Sequence, residues 1–330
     1  MGMPVDYKSN LKSRNVSQSS SGADTVYVFM DIEIDRGCQA AVCTSIGKED
    51  IQLYKYNEVP EFLQGNPYVR DGYRAFLSSN ACIKSLFVWN NETINIWSHL
   101  IGFVIFCLCT LVDNIVMIPH YSGGFSDHLI VTAGLLCYQF CMLCSAGYHI
   151  FNCHSERASK RWLMTDLAGI SVGLIGCYLP AVHYAFYCLS IWRDIYLFTV
   201  AILSAAVLFT QLHPRSFSPH WWTKRLILYC CLAAYGIIPT IHWIYLSGGW
   251  EEEMVQMFIP KVVIMYFFGM SALGFYLTKF PERYFPGKVD YIGSSHQWWH
   301  VIVVAAFFYW HAAGSEIFIY RIQHAPHMCS

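Results

Sequence analysis

Residues 294–311 read SSHQWWHVIVVAAFFYWH. After His300 the chain carries no formally charged residue until Glu316. An apolar run of about 17 to 25 residues fits a hydrocarbon core of about 30 Å. Six more stretches share this character, near 97–118, 129–151, 167–188, 195–212, 226–246 and 262–278. The first is the weakest, because Asp113 and Asn114 interrupt it. The 330 residues are 55% hydrophobic and 13% charged, about half the charged share of a soluble domain. This pattern predicts an all-α membrane protein, a seven-transmembrane helix bundle.

The domain reading follows. Residues 1–50 are polar and Ser-rich and are expected to be a largely disordered tail, with a short strand within 25–34. Residues 51–95 form an ordered segment in which Val59, Phe62 and Leu63 share one face of a short interfacial helix beginning near Asn57 and Pro60. Residues 96–320 hold the helices, and 321–330 form a tail. No apolar h-region follows residues 1–24, so no secretory signal is expected. Asp6 stands where a myristoylation motif at Gly2 needs Ser or Thr.

Charge orients the bundle. Arg157, Lys160 and Arg161 follow the second span, Arg215, Lys224 and Arg225 the fourth, and Lys279, Arg283 and Lys288 the sixth. The opposite loops and tail offer Arg193, Lys261 and Arg321. The excess of Lys and Arg marks the cytosolic side. The N-terminus is therefore expected in the cytosol and the C-terminus in the lumen or outside the cell. Asn91-Glu92-Thr93 fits a glycosylation acceptor but falls on the side where it is not used. A net charge of −1 gives no basis for nucleic-acid binding. Most of the 14 cysteines lie in apolar runs as small hydrophobes, Cys141 and Cys144 among them.

Helical counting brings five polar side chains to one depth at the cytosolic end. His149 lies at the end of the second span with Ser145 one turn deeper, Asp166 near the start of the third, and His296 and His300 at the start of the seventh. His296 and His300 are four residues apart and share a helix face. With His149 they offer three imidazoles, a set that suits Zn2+ and leaves a fourth position open. Asp166 is placed to offset the ion's charge or serve as base, and Ser145 to assist it. Gln297 stands where a zincin motif has its Glu, so the base does not come from there. Against this reading, intramembrane histidines also serve as interhelical hydrogen-bonding groups. His99 is a spare ligand candidate. His183, His242 and His311 lie toward the opposite end, where an interfacial position suits them. Pro180 and Pro239 are expected to kink the third and fifth spans.

NNETINIWSHL at 90–100, SAGYH at 145–149, DLAGI at 166–170, FYC at 186–188 and SSHQWWH at 294–300 together resemble the progestin and adipoQ receptor family, which includes the adiponectin receptors. The resemblance implies a seven-helix fold with cytosolic N-terminus. It also implies zinc held by His149, His296 and His300, with Asp166 and Ser145 beside it. NPYVRDGYRAFLSSNACIKSLF at 66–87 and PERYFPGKVDYIGSSHQ at 281–297 are similar to one branch of that family. For that branch the resemblance implies a Golgi-membrane tether that sequesters a Raf-type protein kinase through its cytosolic segment and dampens MAP kinase signalling. The alternative it implies is a zinc-dependent, ceramidase-like hydrolase acting on membrane lipid amides, with Asp166 and Ser145 as catalytic residues.

Overall fold

The computed structural model describes residues 51–212 and 219–328. The expected disorder of 1–50, and the strand within it, lie outside the described residues. Among the described residues, seven helices are long and apolar enough to cross a membrane: α1 (Thr93–His120), α2 (Phe125–Phe151), α3 (Glu156–Ala185), α4 (Ser190–Gln211), α5 (Trp221–Leu246), α6 (Glu253–Thr278) and α7 (Ser295–His324). Large apolar side chains such as Ile115, Phe209 and Phe267 point outward from them. A continuous apolar exterior of this kind needs lipid around it. Pairing of strand type among the described residues is one antiparallel bridge, Tyr54 to Tyr73.

The helices begin earlier than the apolar runs, and α1 and α7 also end later. α3 starts at Glu156, with the Ser155 hydroxyl accepting from Ala158 N at its N-cap. Arg157, Lys160 and Arg161 therefore sit on its first turns rather than in a loop. α7 continues as helix to Met328, so most of the expected tail is helical. Asp113 does not end α1. The helix widens into a π turn at Asp113–Met117 and resumes through Ile118–His120. Pro239 lies just past an interruption between Ala234 and Ile237 in α5. Pro180 lies inside α3, which runs unbroken to Ala185.

α2 packs against α1 and α3, α3 against α4, and α7 against α6, α1 and α3. The α2–α3 contact is extensive, and α3 turns Gly169, Gly173 and Gly176 toward Cys137, Cys141 and Cys144 of α2. A Cβ at Gly176 would stand 2.8 Å from Cys137 Cβ and 2.9 Å from Gly134 O. Small residues at helix interfaces let backbones approach in this way. Cys141 and Cys144 line the same contact, facing Gly169, and are free thiols, as a packing role requires.

The segment before α1 is ordered but built differently from its periodicity. Tyr56–Glu58 and Glu61–Leu63 are single 3-10 turns, and the one short α-helix is Ser79–Lys84. Pro60 is extended between the two turns, and Asn66-Pro67 follows within three residues of Leu63, so no α-helix has room to form. The segment is tied to the α6–α7 loop. Arg70 N and Asp71 N donate to Asp290 at 3.0 and 2.9 Å, and Gly287 N donates to Tyr68 O at 3.1 Å.

Candidate metal centre

Three helices converge beneath that segment. His149 stands two residues before the end of α2, and His296 and His300 occupy the first turns of α7. The Nε2 atoms of His149 and His296 are 3.3 Å apart, as are those of His296 and His300. The three ligand atoms all lie within 4.8 Å of one another, the group among the described residues so arranged. A tetrahedral zinc with Zn–N near 2.0–2.1 Å places its ligand nitrogens about 3.3–3.4 Å apart. The residues present therefore fit such an ion in type, number and spacing. His149 and His300 are almost wholly buried.

His149 is held from behind. His149 Nδ1 lies 2.7 Å from Glu92 Oε2. With Nδ1 as donor, the Nε2 lone pair faces the other two histidines. A carboxylate behind a ligating imidazole fixes its tautomer and ring orientation. Glu92 also accepts from Asn95 Nδ2 at 2.6 Å and Asn152 Nδ2 at 3.0 Å. Burial pushes the Glu92 carboxyl up, but His149, Asn95 and Arg74 outweigh it and hold it well below the usual carboxylate range. The buried Arg74 guanidinium donates to the carbonyl of His149 at 2.6 Å and to Ser85 Oγ at 2.5 Å.

At α7, the wholly buried Glu282 accepts from Ser295 N at 2.7 Å and from the Ser295 hydroxyl. It caps the helix whose next residue is His296. Gln297 accepts from Gly293 N at 2.6 Å and donates to Asn91 O at 3.3 Å. Its amide ties α7 to the stretch bearing Glu92 and is spent on that tie.

Asp166 lies on α3, and Ser145 lies one turn before His149 on α2. Both line the same cavity as the three histidines. That cavity has a volume of about 1070 Å³ and reaches past Leu174 to Phe186, Trp243 and Trp310. Its walls are mostly apolar, and its polar groups gather at the histidine end.

The structure thus brings together His149, His296, His300, Asp166 and Ser145, as helical counting places them. It does not bring His99 in as a ligand. Its ring packs against that of His300, tilted by 32° with centroids 4.0 Å apart. The histidines at the other end stay apart. His242 Nδ1 pairs with the Tyr196 hydroxyl at 2.7 Å, and His311 with Asp113 at 3.1 Å. His183 packs against Tyr184 and Tyr187. Glu92, Arg74 and Gln297 were not singled out as site residues from the sequence. The available signal was a lone carboxylate at the entrance of α1, level with the end of α2.

The model of the haemolysin-III-related family matches residues 87–311. Progestin and adipoQ receptor family member 3 of Mus musculus and of Homo sapiens are each 47% identical over 276 residues, 83% of this chain and 88% of theirs. The adiponectin receptor protein of Drosophila melanogaster is 30% identical over 271 residues, 82% of this chain and 60% of its own.

Proposed function

The chain belongs to the haemolysin-III-related family, and within it to the progestin and adipoQ receptors; from that premise we propose that His149, His296 and His300 hold a zinc ion serving hydrolysis of a ceramide-like lipid amide. The observation that carries this reading is the clustering of three imidazoles at the polar end of a large apolar cavity, with His296 Nε2 3.3 Å from Nε2 of both His149 and His300 and all three ligand atoms within 4.8 Å of one another. A zinc ion so held polarises a carbonyl and makes water a competent nucleophile near neutral pH. Asp166 accepts the proton of the attacking water at its carboxylate and returns it to the leaving amine. Ser145 orients that carboxylate. Glu92 keeps the His149 Nε2 lone pair turned toward the ion, and Arg74 fixes the backbone beneath it. The apolar cavity receives the acyl chain and keeps bulk water from the reacting carbonyl.

The end bearing Glu92 and the segment 51–92 is assigned to the cytosol. The loop and helix-end Lys and Arg support this. So does Cys188, which lies beyond α3 at the opposite end and is disulfide-bonded, a bond that persists in oxidising compartments. Purified protein incubated with a long-chain ceramide tests the hydrolase reading. Release of fatty acid that disappears in His296→Ala supports it. Fully zinc-loaded protein that releases none refutes it and leaves the ion as a clamp between α2 and α7.

A second role is proposed from the likeness to family member 3. The 276 aligned residues exceed the matched domain 87–311 by more than the C-terminal remainder holds, so they take in part of the segment before residue 87. In this role the protein is a Golgi-membrane tether whose cytosolic segment sequesters a Raf-type kinase and dampens MAP kinase signalling. Co-localisation of the kinase with the wild-type chain on Golgi membranes, lost on deleting residues 1–88 and kept in His296→Ala, is the expected result. Recruitment unaffected by the deletion would exclude the segment as the tether.

A further inference from the structure

Cys82 and Cys153 face each other across the joint between the segment before α1 and the end of α2. Their sulfurs are 3.6 Å apart, and both residues are almost wholly buried. Cys82 lies in the short helix Ser79–Lys84, and Cys153 lies just past the last turn of α2. Their backbones are held in place independently of the sulfurs. Leu77 N donates to Cys153 O at 3.4 Å, and His154 Nδ1 lies 2.7 Å from Leu77 O. Ser85, one turn after Cys82, donates to Cys82 O at 2.6 Å and receives the Arg74 guanidinium. A disulfide needs an S–S distance near 2.05 Å, so closure asks for about 1.5 Å, within reach of side-chain rotation.

We propose that Cys82 and Cys153 are a reversible thiol–disulfide pair that locks the segment before α1 onto the end of α2. The oxidant is a small peroxide, because the pair is shielded from larger reagents. The Cys153 sulfur attacks one peroxide oxygen, the O–O bond breaks, and the Cys153 thiol proton leaves with the departing hydroxide as water. Cys153 is then a sulfenic acid. The Cys82 sulfur attacks the Cys153 sulfur, the S–O bond breaks, and the hydroxyl departs with the Cys82 thiol proton as a second water. Two thiols and one hydrogen peroxide become one disulfide and two waters, and the sulfurs surrender the two electrons that the peroxide takes up.

Cys153 is the attacking sulfur on two grounds. With Cys82 as donor in the contact between the sulfurs, that bond and the Arg74 guanidinium outweigh burial and hold the Cys153 thiol below the ordinary range. The same bond and burial push Cys82 up. A thiol favoured as thiolate reacts first. The lock matters because Asn66, Tyr73 and Arg74 of this segment line the cavity that also holds His149. A covalent tie between Cys82 and Cys153 fixes that wall. The inference does not depend on zinc or on hydrolysis.

The test uses purified full-length chain in detergent micelles, treated with hydrogen peroxide, alkylated under denaturing conditions and digested without reductant. The peptides bearing Cys82 and Cys153 are expected as one linked species that dithiothreitol separates. In Cys82→Ser, Cys153 is expected to accumulate as a sulfenic acid, trapped by dimedone added together with the denaturant. Proteolysis within 51–92 is expected to slow several-fold on oxidation of the wild type and not of Cys82→Ser. Recovery of both cysteines fully alkylated while the exposed Cys230 and Cys231 are oxidised would overturn the proposal. So would a link from either to a different cysteine.

Discussion

Glu92→Gln isolates the charge behind the site while keeping its shape. Three donors converge on this carboxylate: His149 Nδ1 at 2.7 Å, Asn95 Nδ2 at 2.6 Å and Asn152 Nδ2 at 3.0 Å. A glutamine offers one acceptor oxygen and an NH2 that is itself a donor. If its oxygen faces His149 and Asn95, its NH2 meets the Asn152 amide, which must flip to accept. The least cost is the loss of charge assistance, since bonds to a charged group contribute about 1.5–3 kcal/mol against about 0.5–1.5 for neutral ones. That difference of about 1–1.5 kcal/mol is close to tenfold in an equilibrium constant. If the amide conflict also turns the His149 ring, the loss approaches 100-fold, the upper end for such supporting groups. Zinc affinity therefore falls about 10- to 100-fold, read by competition against a fluorescent zinc chelator in detergent, with thermal unfolding of the same samples to confirm the fold. A Glu92→Gln protein that stays folded and binds zinc within about twofold of wild type refutes the role given to Glu92.

Three other outcomes follow from the same structure. Asp166→Asn is expected to retain zinc while lipid-amide hydrolysis falls about 10²–10⁴-fold, the usual contribution of a general base; unchanged turnover would remove Asp166 from the chemistry. Arg74→Met removes charged hydrogen bonds to Ser85 and to the His149 carbonyl, each worth about 1.5–3 kcal/mol, so hydrogen exchange should rise across 72–90 before it rises in the helices. Gly176→Ala forces a Cβ within 2.8–2.9 Å of Cys137, Gly134 and Tyr138 and should cost about 1–3 kcal/mol by overpacking. Gly269→Ala meets nothing within 4 Å and should leave thermal unfolding unchanged or raised; equal behaviour of the two variants would contradict the α2–α3 packing described above.

The membrane helices were legible because charge is absent over a bilayer's thickness, a signal that does not depend on neighbours. Their ends were not, because Thr93, Glu156 and Ser295 begin helices whose first turns are polar and project beyond the apolar run. Asp113 reads as an interruption in sequence, yet its carboxylate is buried against His311 from α7 and the helix passes through a π turn. That partner lies about 200 residues away, beyond any local pattern. The histidines of the candidate centre were legible because a four-residue spacing and a shared depth are both countable. Glu92 was hidden because it precedes α1 and reads as the middle of Asn91-Glu92-Thr93, where attention falls on the asparagine. The short helix was misplaced for a related reason. Val59, Phe62 and Leu63 have helical spacing, but Pro60 and Asn66-Pro67 leave space for single 3-10 turns alone.

Metal content of the purified wild-type chain beside His296→Ala/His300→Ala tests the central claim most directly. About one zinc per chain in the wild type, absent from a double mutant that still folds, is the result a three-histidine centre predicts. Zinc absent from both, or bound equally by both, would contradict it and leave the three rings as a packing and hydrogen-bonding joint between α2 and α7.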